Sequence, residues 1–171
     1  LGFNYNETYH LNFGNQKLLN EPESIFYYPH IFKKFQYDDA FYSNSSGTKL
    51  IFCQYRNEVK SLEKELESMG YKVLSCIGGE AEQFQNMLSY ASKLDFIIAT
   101  TVVSHGVNLP QISSIYITYK VENLDLYLQM IGRGGRDGSD FQLHTMNSDY
   151  FSNKTLFKGF LAVFLKRFSI V

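Results

Sequence analysis

Tryptophan is absent from this sequence of 171 residues, prolines number 3 and cysteines 2. So few prolines leave most of the chain free to form helices and strands. Cys53 and Cys76 have no metal-type spacing and fall inside predicted strands, where buried, reduced thiols and a cytoplasmic setting are expected. No signal peptide is recognisable. The most apolar run, 159–165, is far shorter than the roughly 20 residues that a membrane-spanning helix needs. An excess of one charge is also missing: 16 Lys and Arg against 17 Asp and Glu give a formal net charge of −1. That balance argues against a broad electrostatic grip on nucleic acid, so any such contact has to be local. What is present is globular, with 44% hydrophobic and 19% charged residues, enough for the core of one ordinary domain. The chain begins on Leu1 and ends on Phe168-Ser169-Ile170-Val171. Both ends read as cut, and a piece of a longer protein is expected.

Residues 1–47 carry scattered aromatics without clean periodicity. Pro22 and Pro29 break any long helix there, and 43–47 (Ser-Asn-Ser-Ser-Gly) is a loop. A connector or part of a neighbouring unit is expected over 1–47. From 48 to 171 the pattern becomes regular. The run 49–55 reads as a strand buried on both faces. Asn57 is placed to cap a helix whose inward stripe is Val59, Leu62, Leu66 and Met69, ended by Gly70. A second strand covers 71–77 and closes on Gly78-Gly79. Ala81, Phe84, Leu88 and Ala91 mark a second helix, and 95–100 a third strand. A fourth strand covers 114–118, before a helix with Leu124, Leu128 and Ile131 inward. The last elements are a strand at 142–146 and a closing helix at 154–168, with Phe157, Phe160, Leu161, Phe164 and Leu165. This alternation predicts an α/β fold, a three-layer α/β/α arrangement around a mostly parallel sheet. Functional groups then gather on loops at the carboxyl ends of strands.

Two stretches carry chemistry. In Gln129-Met130-Ile131-Gly132-Arg133-Gly134-Gly135-Arg136-Asp137-Gly138, glycines leave room for backbone amides and two guanidiniums to approach one anion, a polyphosphate for example. A glycine-rich turn with two solvated arginines is the plainer alternative. In 99–110, Thr100 and Thr101 end a buried strand, Gly106 permits close approach, and Asn108 and Pro110 shape the exit. Hydroxyls and amides at a strand end suit a phosphate backbone, although an ordinary strand-to-turn segment has the same composition. His105 reads as a partly exposed loop histidine.

Together these segments resemble the second RecA-like domain of superfamily 2 helicases. Leu50-Ile51-Phe52-Cys53-Gln54-Tyr55 is similar to motif IV, and Ala99-Thr100-Thr101 through Gly106-Val107-Asn108-Leu109-Pro110 to motif V. Gln129 through Arg136 follows the QxxGRxGR pattern of motif VI. The resemblance covers 49–147; the Gly-Arg-Asp-Gly ending is RecQ-like, and Gly-Val-Asn-Leu-Pro is closer to Ski-type helicases. It implies a RecA-like fold in which Arg133 and Arg136 reach the γ-phosphate of ATP, Arg136 as the arginine finger. It also implies nucleotide-side roles for Gln129, Gly132, Asn108 and Gly106. Nucleic-acid contacts fall to Gln54, Tyr55, Arg56, Gly78, Gly79, Thr100 and Thr101. Cys76-Ile77-Gly78-Gly79 departs from the His-Ala-Gly segment common in those relatives, which removes a histidine contribution and keeps the glycine backbone.

Neither a GxxxxGK[ST] loop nor an acidic DExx-type motif occurs in the sequence, so ATP with Mg2+ is expected to bind mainly on a preceding RecA-like domain. No metal site is expected in the chain itself. Alone, the chain is expected to be inactive; with its partner domain it is expected to drive a helicase or translocase, acting on DNA in preference to RNA. The competing readings are a non-catalytic RecA-like binding module and the motor subunit of a restriction or defence system.

Overall fold

The computed structural model describes residues 21–29, 33–42, 47–104, 107–136 and 138–147. Six strands, β1 (Ser24–Pro29), β2 (Thr48–Phe52), β3 (Val73–Cys76), β4 (Phe96–Ala99), β5 (Ile112–Ile117) and β6 (Gln142–Asn147), form one sheet. Their order is β1-β6-β5-β2-β4-β3, and every pairing is parallel. The helices are α1 (Lys33–Tyr42), α2 (Arg56–Ser68), α3 (Ala81–Tyr90) and α4 (Leu124–Ile131), with a 3-10 turn at Thr101–Ser104. The closing helix expected at 154–168 lies outside the described residues.

Right-handed crossovers fix which face each helix covers. From β1 to β2 and from β2 to β3 the chain moves one way along the sheet, so α1 and α2 share a face. It returns through β4, passes β2 to β5 and continues to β6, which places α3, the 3-10 turn and α4 on the other face. The two cores follow this division. Ile51, Cys53, Phe96, Ile98 and Tyr116 pack against Ala40 and Phe41 of α1 and Val59, Leu62 and Leu66 of α2. Leu50, Phe52, Ile97, Ala99, Ile115 and Ile117 pack against Phe84 of α3 and Met130 of α4. Alternate residues of one strand therefore enter opposite cores, which is why β2 and β4 read as unbroken apolar runs. The arrangement is the expected three-layer α/β/α sandwich.

Four local expectations need correction. Part of the segment expected to be a connector, residues 24–29 and 33–42, supplies β1 and α1 to this domain: β1 pairs with β6 along its length, and Gln36 of α1 donates to the carbonyls of Ile117 and His144, both at 3.0 Å. Asn57 is not the cap of α2. Tyr55 holds that position without a side-chain bond, while Glu58 reaches back to the Gln54 N–H at 3.2 Å. Met69 sits at the C-cap of α2 and is exposed. On α4, Leu124 and Leu128 face outward, and Met130 is the residue that is fully buried.

Both thiols lie in the core, Cys53 just after β2 and Cys76 at the end of β3. Burial, with Glu58 nearby, pushes the Cys53 thiol up to about 12. Burial and Glu80 raise Cys76 to about 11. The thiolate is the reactive form, so neither should be alkylated at pH 8 while the domain is folded. Iodoacetamide labelling followed by mass spectrometry should show modification only when denaturant opens the domain; rapid labelling of native protein would contradict the buried placement. Among the described residues no helix is long and apolar enough to cross a membrane.

Candidate functional site: an arginine pair held on a strand-end loop

The arginine segment begins where α4 stops. Asn123 caps the helix, accepting the Leu126 N–H at 2.9 Å, which satisfies one of the amides that the first turn leaves unpaired. At the other end the Gly132 N–H still reaches Leu128 at 2.8 Å. The following amides then shorten their reach, Arg133 to Met130 at 3.3 Å and Gly134 to Ile131 at 3.0 Å, so the helix tightens into a turn. Gly135, with φ of 59°, reverses the chain.

Gly134 has a packing role that sequence reading assigned to anion approach. A Cβ there would lie 2.3 Å from the Phe141 ring, and Phe141 is in the core. The segment also differs from the expectation that functional groups gather on loops at the carboxyl ends of strands. It follows a helix and leads into β6, and it meets the strand-end loop after β4 through side chains.

Arg133 makes that meeting. It is only 4% exposed, and Nη1 donates to the Val107 carbonyl at 2.6 Å. Its buried Nε has no partner among the described residues. Burial first, then the neighbouring Arg136, hold its pKa below the ordinary arginine value. It remains a cation at neutral pH all the same. Arg136 is exposed and folds back, Nε donating to the Gly132 carbonyl at 3.2 Å. Among the described residues no carboxylate pairs with either guanidinium. Two like charges, one buried with an unused donor, form an environment that an anion would stabilise. The donor set fits a polyphosphate. Among the described residues, no group of three or more His, Cys, Asp or Glu is placed to hold a metal ion.

The loop receiving Arg133 is itself anchored. Val107 and Leu109 are buried in the core and leave Asn108 between them exposed. The Asn108 backbone is bracketed by Gln85 of α3, whose Oε1 accepts the Asn108 N–H at 3.1 Å and whose Nε2 donates to the Asn108 carbonyl at 3.4 Å. Sequence reading missed Gln85, because a polar residue beside the buried Phe84 looks like any solvated helix position. Gly106 and His105 lie outside the described residues.

A second grouping lies at the carboxyl ends of β2 and β3. Arg56 Nη2 donates to the Gly78 carbonyl at 2.7 Å, joining the loops after the two strands. Gly79 follows with φ of 90°, a conformation that favours glycine. Gln54 and Tyr55 are exposed beside Arg56. Thr100, half-buried, donates its N–H to Cys76 at 3.1 Å, and Thr101 opens the 3-10 turn. Gln129 is exposed on α4. Among the described residues, no hydrogen bond joins Gln54, Tyr55 or Gln129 to the arginines. The structure thus brings Arg133, Val107, Asn108 and Gln85 together and, separately, Arg56 with Gly78.

Comparison with known proteins gives the same picture. Residues 33–138 match the family described as the helicase conserved C-terminal domain. The chain is 30% identical over 124 residues to the ATP-dependent RNA helicase DBP3 of Ajellomyces capsulatus, covering 70% of this chain and 25% of that protein. It is 33% identical over 92 residues to the human probable ATP-dependent RNA helicase DDX23, covering 52% and 11%. The chain thus spans a quarter or less of the length of these relatives. Among solved structures, the Escherichia coli DEAD-box protein SrmB bound to RraA superposes with a TM-score of 0.61 at 18% identity, covering 77% of this chain and 78% of that one. Saccharomyces cerevisiae Dbp5 bound to RNA and ADP BeF3 gives 0.57 at 18% identity, covering 86% and 39%. Both curated relatives are named RNA helicases, which withdraws the expected preference for DNA.

Proposed function

The chain belongs to the helicase conserved C-terminal domain family, and from that premise we propose that it is one motor half of an ATP-dependent RNA helicase or translocase. The observation carrying this reading is the guanidinium pair that no described carboxylate balances, with Arg133 held onto the Val107 carbonyl and Arg136 folded back on Gly132. Neither a phosphate-cradling GxxxxGK[ST] loop nor an acidic box is in the sequence. ATP and Mg2+ are therefore assigned mainly to a preceding RecA-like domain, and this half supplies Arg133 and Arg136. In phosphoryl transfer, charge develops on oxygens that fixed guanidiniums stabilise. Arg136 is the finger and Arg133 the buried second cation, with Gln129, Gly132, Asn108 and Gly106 completing the nucleotide side.

The loops at the carboxyl ends of β2, β3 and β4 are assigned to the nucleic-acid strand. Gln54, Tyr55, Arg56, Gly78, Gly79, Thr100 and Thr101 offer amides, hydroxyls and one cation, which suits phosphate-backbone contact in a chain of net charge −1. RNA is the substrate we assign, on the names of the curated relatives. Reduced buried thiols fit a cytoplasmic setting.

The test is ATP hydrolysis by the full polypeptide with single-stranded RNA or DNA of matched sequence. RNA should stimulate at least about tenfold more than DNA, the size of a 1.4 kcal/mol preference in transition-state stabilisation. Equal stimulation would remove the RNA assignment and leave the motor. Binding without hydrolysis under any condition would favour a non-catalytic module.

A further inference from the structure

We propose that Gln85 is a positioning residue for Arg133, joining the strand-facing loops to the ATP-facing side of this domain. The inference rests on the functional reading above and adds a residue to it.

Three contacts run in sequence through the fold. Arg56 donates to the Gly78 carbonyl at 2.7 Å, at the entrance to α3. Gln85 of α3 holds both backbone polar groups of Asn108, at 3.1 and 3.4 Å. The adjacent Val107 carbonyl accepts Arg133 Nη1 at 2.6 Å. Between the first two contacts lie only the turn after Gly79 and the first turn of α3. A helix turn is stiff, so displacement of the Gly78–Gly79 loop would carry Gln85 with it.

The amide side chain suits this task. One primary amide has a donor and an acceptor, and a backbone residue offers the complementary pair, so Gln85 can hold Asn108 as a strand neighbour would. Val107 and Leu109 fix the same segment by burial, but apolar contacts leave its register and tilt loosely set compared with paired hydrogen bonds. With the bracket intact, the Val107 carbonyl is presented to Arg133 in one position. Without it, the domain keeps its core and Arg133 loses a fixed acceptor. Gln85 touches neither reactant, and its effect passes through Arg133.

The experiment uses the full polypeptide with saturating single-stranded RNA. Gln85→Leu removes both hydrogen bonds at nearly constant volume and should lower kcat about tenfold through the lost placement of Arg133 in the transition state, while these solvent-exposed bonds contribute little to folding. KM for ATP should stay within about twofold, since ATP sits mainly on the other domain, and the melting midpoint should not move by more than about 2 °C. A purely structural role would move the midpoint and would add independently to other substitutions. Gln85→Leu combined with Arg133→Ala should therefore be no slower than Arg133→Ala alone. A wild-type kcat in Gln85→Leu, or a multiplicative loss in the double variant, overturns the proposal. Arg136→Ala run alongside separates the two ideas. If it is slow while Gln85→Leu is normal, only the positioning role fails; if Arg136→Ala is normal, the composite ATP site fails and the positioning role with it.

Discussion

Replacing Arg136 with alanine is expected to lower RNA-stimulated ATP hydrolysis by roughly a thousandfold while leaving ATP affinity within a few-fold of wild type. The size of the effect follows from where the charge sits. Arg136 is exposed and uses only Nε to hold Gly132, so among the described residues its terminal nitrogens make no hydrogen bond. Losing such a side chain removes nothing from the core, and the melting midpoint should stay put. The loss therefore belongs to the transition state, and it should appear in kcat and in kcat/KM alike. Arg136→Lys keeps the charge without the planar fork and should recover only part of the rate. Arg133→Ala should behave differently. It leaves the buried Val107 carbonyl without its donor, and an unsatisfied buried group costs about 1–3 kcal/mol, so rate and stability should fall together. An Arg136→Ala protein that hydrolyses ATP at the wild-type rate would remove the composite-site reading.

What the sequence made legible follows burial. β2 and β4 feed two cores from alternate residues, so their runs contain almost nothing polar and stand out. β1 is an edge strand whose Ile25, Phe26 and Tyr27 are all exposed, and its apolar residues look like scatter. α1 conceals itself for another reason: Gln36 is fully buried, donating to carbonyls of two strands, so a polar residue occupies a core position and breaks the stripe. α4 fails in the opposite direction. Leu124, Leu126, Tyr127, Leu128, Met130 and Ile131 crowd eight positions, so nearly any helical phase gives an apolar face, and of the expected stripe only Ile131 packs on the core.

The site divides in the same way. Arg133 and Arg136 could be found because guanidiniums between glycines form a recognisable pattern. The partners that hold them could not, because Val107 and Gly132 contribute backbone carbonyls, which every residue has. The glycines leave room for an anion only in part. Gly135 does turn the chain through positive φ, but Gly134 is there because of a ring contributed seven positions later.

That contact gives the largest expected loss of stability. Gly134→Ala places a methyl 2.3 to 2.6 Å from three carbons of the Phe141 ring, closer than real contacts allow. Phe141 is 1% exposed and packed in the core beneath α4, so the ring has no solvent-side escape. Overpacking of this kind costs about 1–3 kcal/mol. For a domain of this size the melting midpoint should fall by roughly 4–10 °C, read by calorimetry. Phe141→Leu alone should cost about 1–2 kcal/mol through lost packing. The Gly134→Ala, Phe141→Leu pair should be more stable than the sum of the two losses by at least about 1 kcal/mol, because the shorter side chain removes the collision. Strict additivity, or a Gly134→Ala protein as stable as wild type, would show that the turn yields and the ring does not constrain it. A chain that relieves the clash by moving the turn also moves Arg136, so kcat should drop even at temperatures where Gly134→Ala remains folded. Phe141→Leu, which leaves the turn in place, should keep most of its activity under the same conditions.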